Sequence, residues 1–219
     1  MSSYLARRVV RIAEELAEQY GPQGWWPTTA RAGWKPVYRP GKEGRRTTAR
    51  ESYEILVGAI LTQNTAWKNV EQAIVNLTRE DRLRPERIAR AGAWLEEAIR
   101  PSGYFNQKAA RLREVTRLLL SHGGFARLRR LSTPELRVLL LSWRGIGPET
   151  ADSILCYAFQ RPVFVVDAYT KRLFAARGLP HGSYDEMQAL VHAAIPASAA
   201  RYGDLHALIV ANGKPRRSL

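Results

Sequence analysis

Residues 141–151 read Leu-Ser-Trp-Arg-Gly-Ile-Gly-Pro-Glu-Thr-Ala, and this stretch carries the clearest chemistry in the sequence. Gly145 and Gly147 flank one apolar residue, Ile146, and Pro148 suits the first position of a following helix. Glycines permit a tight turn and let backbone N–H groups approach a ligand closely. The start of the next helix adds a partial positive charge. Gly145, Gly147 and Thr150 therefore form a candidate phosphate-binding surface, with Ile146 anchoring the turn in a core; a plain helical hairpin is the structural alternative. Asp167 follows Gly147 by twenty residues, in Pro-Val-Phe-Val-Val-Asp-Ala-Tyr-Thr. Taken alone it reads as an N-cap for a helix beginning at Ala168. Trp25 and Trp26, taken alone, read as core aromatics, and Gln63 as an amide stabilising a turn.

The elements that position these residues are helical. Apolar Leu5, Val9, Ile12, Ala13 and Leu16 recur at three- and four-residue spacing and predict an amphipathic helix over 3–20. Residues 21–50 lose that periodicity, collect Gly, Pro, Trp and Arg, and read as a long basic loop, a length that tends to be functional. Residues 51–61 are apolar nearly all round and predict a buried helix. Further helices are expected at 68–78, 85–98, 106–121, 133–142, 148–159, 168–176, 184–195 and 199–212. Thr133 is the expected N-cap before Pro134. Val163 to Val166 has strand propensity, but a lone apolar run builds no sheet, so an extended buried connector is expected. The expected fold class is all-α.

Composition narrows the function. The 219 residues carry 34 Lys+Arg against 20 Asp+Glu, a net charge of +14. That excess fits a polyanionic partner such as nucleic acid, or an Arg-rich surface serving solubility. No apolar run approaches the roughly 20 residues of a membrane-spanning helix, so no membrane partner is expected. Residues 1–20 do not read as a signal peptide, and a cytoplasmic, nucleoid-associated protein is expected. With one cysteine, Cys156, the sequence offers neither a disulfide nor a cysteine-ligated metal site. Its histidines, His122, His181, His192 and His206, lack metal-ligand spacing and read as ordinary surface or core residues.

The run G-I-G-x-x-T-A, followed by V-x-V-D-x-x-x-x-R, resembles the helix-hairpin-helix DNA glycosylase superfamily that includes endonuclease III. Leu56 to Thr65, Gly103 to Ala109 and Leu205 to Val210 agree with it in order and spacing. The resemblance spans about residues 50–214. It is closest to a cluster-free bacterial 3-methyladenine DNA glycosylase type. The matches to that type are Trp25-Trp26-Pro27, Thr62 to Thr65, Arg100 to Ala109 and Gly145 to Tyr157. It implies two helical subdomains with the active-site cleft between them. Residues 1–50 and 165–219 would form one, and 51–164 a helical barrel holding the hairpin motif at 134–159.

What the resemblance implies for the site is specific. Asp167 would be catalytic, Trp25, Trp26 and Tyr53 would line the base pocket, and Gln63 would enter the duplex where the target base leaves. Lyase members place a nucleophilic lysine immediately before the Thr-Ala of the hairpin; here that position is Glu149, and a carboxylate forms no Schiff base. Iron–sulfur members end in a four-cysteine loop that this sequence lacks. The expected protein is a monomeric, monofunctional glycosylase acting on alkylated purines in double-stranded DNA. It would need no iron–sulfur cofactor, and a monovalent cation at the hairpin is the one ion the motif suggests. The alternatives are a mismatch uracil or thymine glycosylase and a noncatalytic helix-hairpin-helix DNA binder.

Overall fold

The computed structural model describes residues 3–214. Among them the architecture is all-α, apart from one pair of two-residue strands. No helix among the described residues is long and apolar enough to cross a membrane. The chain divides into two compact units, one of residues 3–26, 38–45 and 160–214, the other of 27–37 and 46–159.

In the first unit, α1 (Ser3–Tyr20) buries Val9, Ile12 and Leu16. It packs on α11 (Tyr184–Ala194) and α12 (Ala199–Gly213). Its polar face is tied down by Glu15 to Arg177 at 2.8 Å and by Arg8 to the carbonyls of Arg177 and Gly178. The Val163–Val166 run is buried and irregular, as an extended connector should be. It delivers the chain to α10 (Ala168–Ala176), which packs on α12.

The second unit is built around α2 (Ala49–Leu61), whose residues from Ser52 to Leu61 are all buried. Thr48 caps it through a reciprocal pair with Glu51, which moves its start two residues ahead of the expected Glu51. Around it lie α3 (Trp67–Arg79), α4 (Pro85–Ala89), α5 (Trp94–Ile99), α6 (Phe105–Ser121), α7 (Gly124–Leu128), α8 (Thr133–Ser142) and α9 (Pro148–Ser153). The helix expected over 85–98 is divided into α4 and α5 at Arg90 to Ala93, where Gly92 weakens helical propensity. The cap of α8 is Ser132, not Thr133, because Ser132 forms the reciprocal pair with Glu135. α9 continues as a π-helical turn over Ile154–Ala158.

The basic loop is not wholly irregular, and it does not stay with one unit. β1 (Thr28–Thr29) pairs antiparallel with β2 (Pro36–Val37), in register Thr28 to Val37. Thr29 donates from its backbone N–H and its hydroxyl to the buried carboxyl of Glu54 on α2, at 2.8 and 2.7 Å. Those bonds hold residues 27–37 to the α2 unit, so the expected boundary at residue 50 is corrected there.

Candidate active site and nucleic-acid interface

Asp167 is the N-cap of α10 and is 8% exposed. Its Oδ1 accepts from the Thr170 backbone N–H at 2.7 Å and from the Thr170 hydroxyl at 2.9 Å. Its Oδ2 lies 3.4 Å from Nε2 of His206 on α12, a charge contact longer than an ideal hydrogen bond. Burial alone pushes the carboxyl up. His206 and Thr170 together outweigh that and hold it below the ordinary carboxylate range. The cap and a catalytic role are compatible, since the cap engages Oδ1 and leaves Oδ2 with only the long contact to His206 among the described residues.

Trp25 and Trp26 belong to the same unit. They are half-buried and meet edge to face with centroids 5.5 Å apart, and Tyr38 adds a second edge contact to Trp25. The Lys214 ammonium, at the end of α12, sits 5.5 Å from the Trp25 ring centre, and burial pushes its pKa down. Gly213 passes so close to Tyr169 that a Cβ there would strike the ring. Helix α12 thus reaches Asp167 through His206 and Trp25 through Lys214.

Tyr53, Gln63 and the hairpin belong to the second unit. Tyr53 is 1% exposed, and its hydroxyl is 2.9 Å from the Thr116 hydroxyl on α6. Its ring also lines a cavity of about 710 Å³ that is bordered by Trp34, Leu83, Leu119 and Phe125. Burial pushes the Tyr53 phenol up, so it stays neutral. At the hairpin, Ile146 is buried while Gly145 and Gly147 are exposed, the arrangement that a turn offering its backbone outward requires. Gly145 adopts φ +80°, the left-handed region. Gly147 is the N-cap of α9 at φ −90°, and a Cβ there would meet open space. Nothing inside the protein demands glycine at 147. Glu149 is exposed in the first turn of α9, where the helix dipole favours an acid. Thr150 is buried, and its hydroxyl accepts from the Gln63 amide.

A model of the HhH-GPD superfamily of base excision DNA repair proteins matches residues 57–196, the stretch that runs from α2 through the hairpin and Asp167. The chain belongs to that superfamily. It is 41% identical over 212 residues to MJ1434 of Methanocaldococcus jannaschii, a protein named as a DNA repair glycosylase. That match covers 94% of this chain and 87% of the relative. The crystal structure of H. pylori 3-methyladenine DNA glycosylase bound to 1,N6-ethenoadenine superposes with a TM-score of 0.73 at 28% identity. It covers 98% of this chain and 99% of that one. A thermostable thymine-DNA glycosylase shares the fold, with a TM-score of 0.68 at 19% identity over 98% of this chain and 90% of that one. The protein is therefore a DNA glycosylase of base excision repair.

Within this glycosylase, three basic residues that the sequence alone leaves unassigned lie against the candidate site residues. His206 has no local signal, because it is 39 positions from Asp167 and meets it through helix packing. Lys108 is buried and donates to Leu61 O, Ser102 O and the Thr65 hydroxyl, at 2.8, 2.7 and 2.9 Å, so it fastens the turn that carries Gln63. Burial, with Arg111 nearby on α6, pushes its pKa down to about 8. Arg111 donates to Gln63 itself. Beside that turn stands Tyr104, 66% exposed and held at φ +46°, a backbone region that costs a non-glycine residue energy. An exposed, strained aromatic beside Gln63 is a candidate duplex contact.

A four-thiolate iron–sulfur cluster needs four cysteines. Cys156 is the single cysteine of the 219 residues; it is buried, and burial pushes its thiol up to about 12. These residues do not fit a four-thiolate cluster.

Proposed function

We propose that this glycosylase hydrolyses the N-glycosidic bond of alkylated purines of the 3-methyladenine kind in double-stranded DNA, as a monomer, without lyase chemistry. The observation that carries the substrate class is the half-buried, edge-to-face Trp25–Trp26 pair in the unit that also holds Asp167. A ring-alkylated purine is cationic, and aromatic faces attract a desolvated cation by about 2 kcal/mol. The H. pylori relative binds 1,N6-ethenoadenine, another modified purine.

The chemistry follows from one carboxylate. A cationic base leaves with the electron pair of its glycosidic bond and departs neutral, so it needs little help from a general acid. The sugar becomes oxocarbenium-like at C1′, and Asp167, kept ionised by its surroundings, stabilises that charge. A water adds its oxygen to C1′, and its proton passes to Asp167 or to solvent, leaving an abasic sugar. Before that, the base must leave the stack at a cost of a few kcal/mol. Gln63, with Tyr104 beside it, would fill the vacated space. The N–H groups of Gly145 and Gly147 would grip phosphate, which sets register without reading sequence. A monovalent cation at the turn would use the second lone pairs of the Trp143 and Gly145 carbonyls, each of which already accepts one hydrogen bond.

The test is strand analysis of duplexes that each carry one defined base: 3-methyladenine, 1,N6-ethenoadenine, or uracil or thymine opposite guanine. Breaks at the cationic 3-methyladenine, and only after alkali, are expected, with slower release of the neutral 1,N6-ethenoadenine. Release of uracil or thymine alone would transfer the assignment to mismatch repair. No release from any of these duplexes would overturn the alkylated-purine reading.

A further inference from the structure

Gln63 does not hang loose at the end of α2. Its Nε2 donates to the Gly145 carbonyl at 3.1 Å and to the Thr150 hydroxyl at 2.9 Å, and its Oε1 accepts from Arg111. Arg111 also packs against the hairpin, where a Cβ built on Gly145 would run into its Nε. Glycine at 145 therefore serves two ends, the left-handed turn and the room Arg111 occupies. Three residues earlier on α6, Lys108 fastens the backbone of the same turn. One helix thus supplies one cation for the base of the turn and another for its tip.

An amide has a donor end and an acceptor end of nearly equal size, so something must decide which way it faces. Arg111 and the Gly145 carbonyl do so together here, because a guanidinium only donates and a carbonyl only accepts, and of the two only Arg111 is a side chain. Arg111 holds Oε1 toward α6 and leaves the NH₂ on the hairpin, so that the same donor end would meet acceptors on base edges once Gln63 lets the hairpin go. We infer that Arg111 is a positioning residue for Gln63, one that orients the amide and ties its insertion to the hairpin gripping the backbone. The inference rests on Gln63 being the residue that enters the duplex. When Gln63 leaves Gly145 and Thr150 to insert, Arg111 is the one of its three partners with a side chain long enough to travel with it.

A double-mutant cycle tests this by single-turnover base release and by fluorescence of a 2-aminopurine placed opposite a stable abasic analogue. Gln63→Ala and Arg111→Ala should each reduce release on the order of tenfold, and the double variant should match Gln63→Ala within about threefold. Arg111→Lys keeps the charge but not the planar fork, and should behave like the alanine variant. Independent, multiplying losses would overturn the inference. So would recovery by lysine, or a loss on every duplex with the salt slope reduced by about one, because each marks a plain phosphate contact. If Gln63→Ala itself changes neither signal, the insertion reading has failed. If Gln63→Ala matters and Arg111 does not, the inference alone has failed.

Discussion

Replacing Asp167 with asparagine separates its two roles. The side-chain amide would keep an oxygen for the Thr170 N–H, and asparagine caps helices about as well as aspartate, so that contact costs only a few tenths of a kcal/mol. What is lost is the charge beside His206. At 3.4 Å that contact falls short of the 1.5–3 kcal/mol of a well-formed bond to a charged group, so about 1 kcal/mol of stability should go. The transition state loses more, because removing one preorganised charge-stabilising group typically costs about 2.7–4 kcal/mol, or 10²–10³ in rate. Melting and single-turnover release on one alkylated duplex should therefore diverge, with a small shift in the first and a collapse in the second. The pH dependence has a definite sign. A carboxyl whose folded pKa is lowered contributes stability that is fully present above its unfolded value, about 3.9 for aspartate. That contribution fades as pH falls from there through the lowered folded value, and Asp167→Asn should lack this acid-side loss. Release by Asp167→Asn within about threefold of wild type would refute the carboxylate's role in the chemistry.

Other expectations concern the hairpin and its support. With Glu149 at the lyase position, borohydride should trap no protein–DNA adduct from wild type, and Glu149→Lys should give a weak trapped band; a wild-type adduct would end the monofunctional reading. Gly147→Val should cost stability only about 1 kcal/mol, the loss of a glycine N-cap, since its Cβ enters open space, while weakening binding to any duplex about tenfold or more. Gly145→Ala should lose both stability and binding, because it strains the left-handed turn and collides with Arg111; unaltered melting would contradict that geometry. Arg137 donates twice to the fully buried Asp152, at 2.7 and 3.0 Å, so Arg137→Ala should destabilise by about 3 kcal/mol in denaturant melts, and a loss under 1 kcal/mol would mean that Asp152 is otherwise compensated.

Local pattern makes much of this molecule legible from its sequence. The amphipathic period of α1, the all-round apolarity of α2 and the buried connector before Asp167 are each written within about a dozen residues, and each forms as expected. The exposed glycines and buried isoleucine of the hairpin are legible for the same reason. What escapes are features set by distant partners. The β1–β2 strap forms because Thr29 finds Glu54, which no periodicity announces. Capping by Ser132, in contrast, is legible locally, because only Ser132 has a glutamate, Glu135, three residues on, whereas Thr133 is followed at that spacing by Leu136. His206 reads as an ordinary surface or core residue, Lys108 only as part of the matched Gly103–Ala109 segment and Arg111 not at all, until helix packing sets them against Asp167 and Gln63.

Helix α12 gives the environment of Asp167 an unusual sensitivity. Fifteen residues make a rod about 22 Å long, and three of its points are fixed on the rest of its unit: His206 on Asp167, Gly213 against Tyr169 and Lys214 over Trp25. Inserting or deleting one residue upstream of His206 would turn the rest of the rod by about 100° and slide it about 1.5 Å, undoing all three attachments together. A one-residue insertion just after the Ser198 cap would therefore retune the carboxylate from a point well away from it. Engineering that aims at reaction rate can thus work by adjusting the phase of a helix, leaving every residue that touches the base as it is.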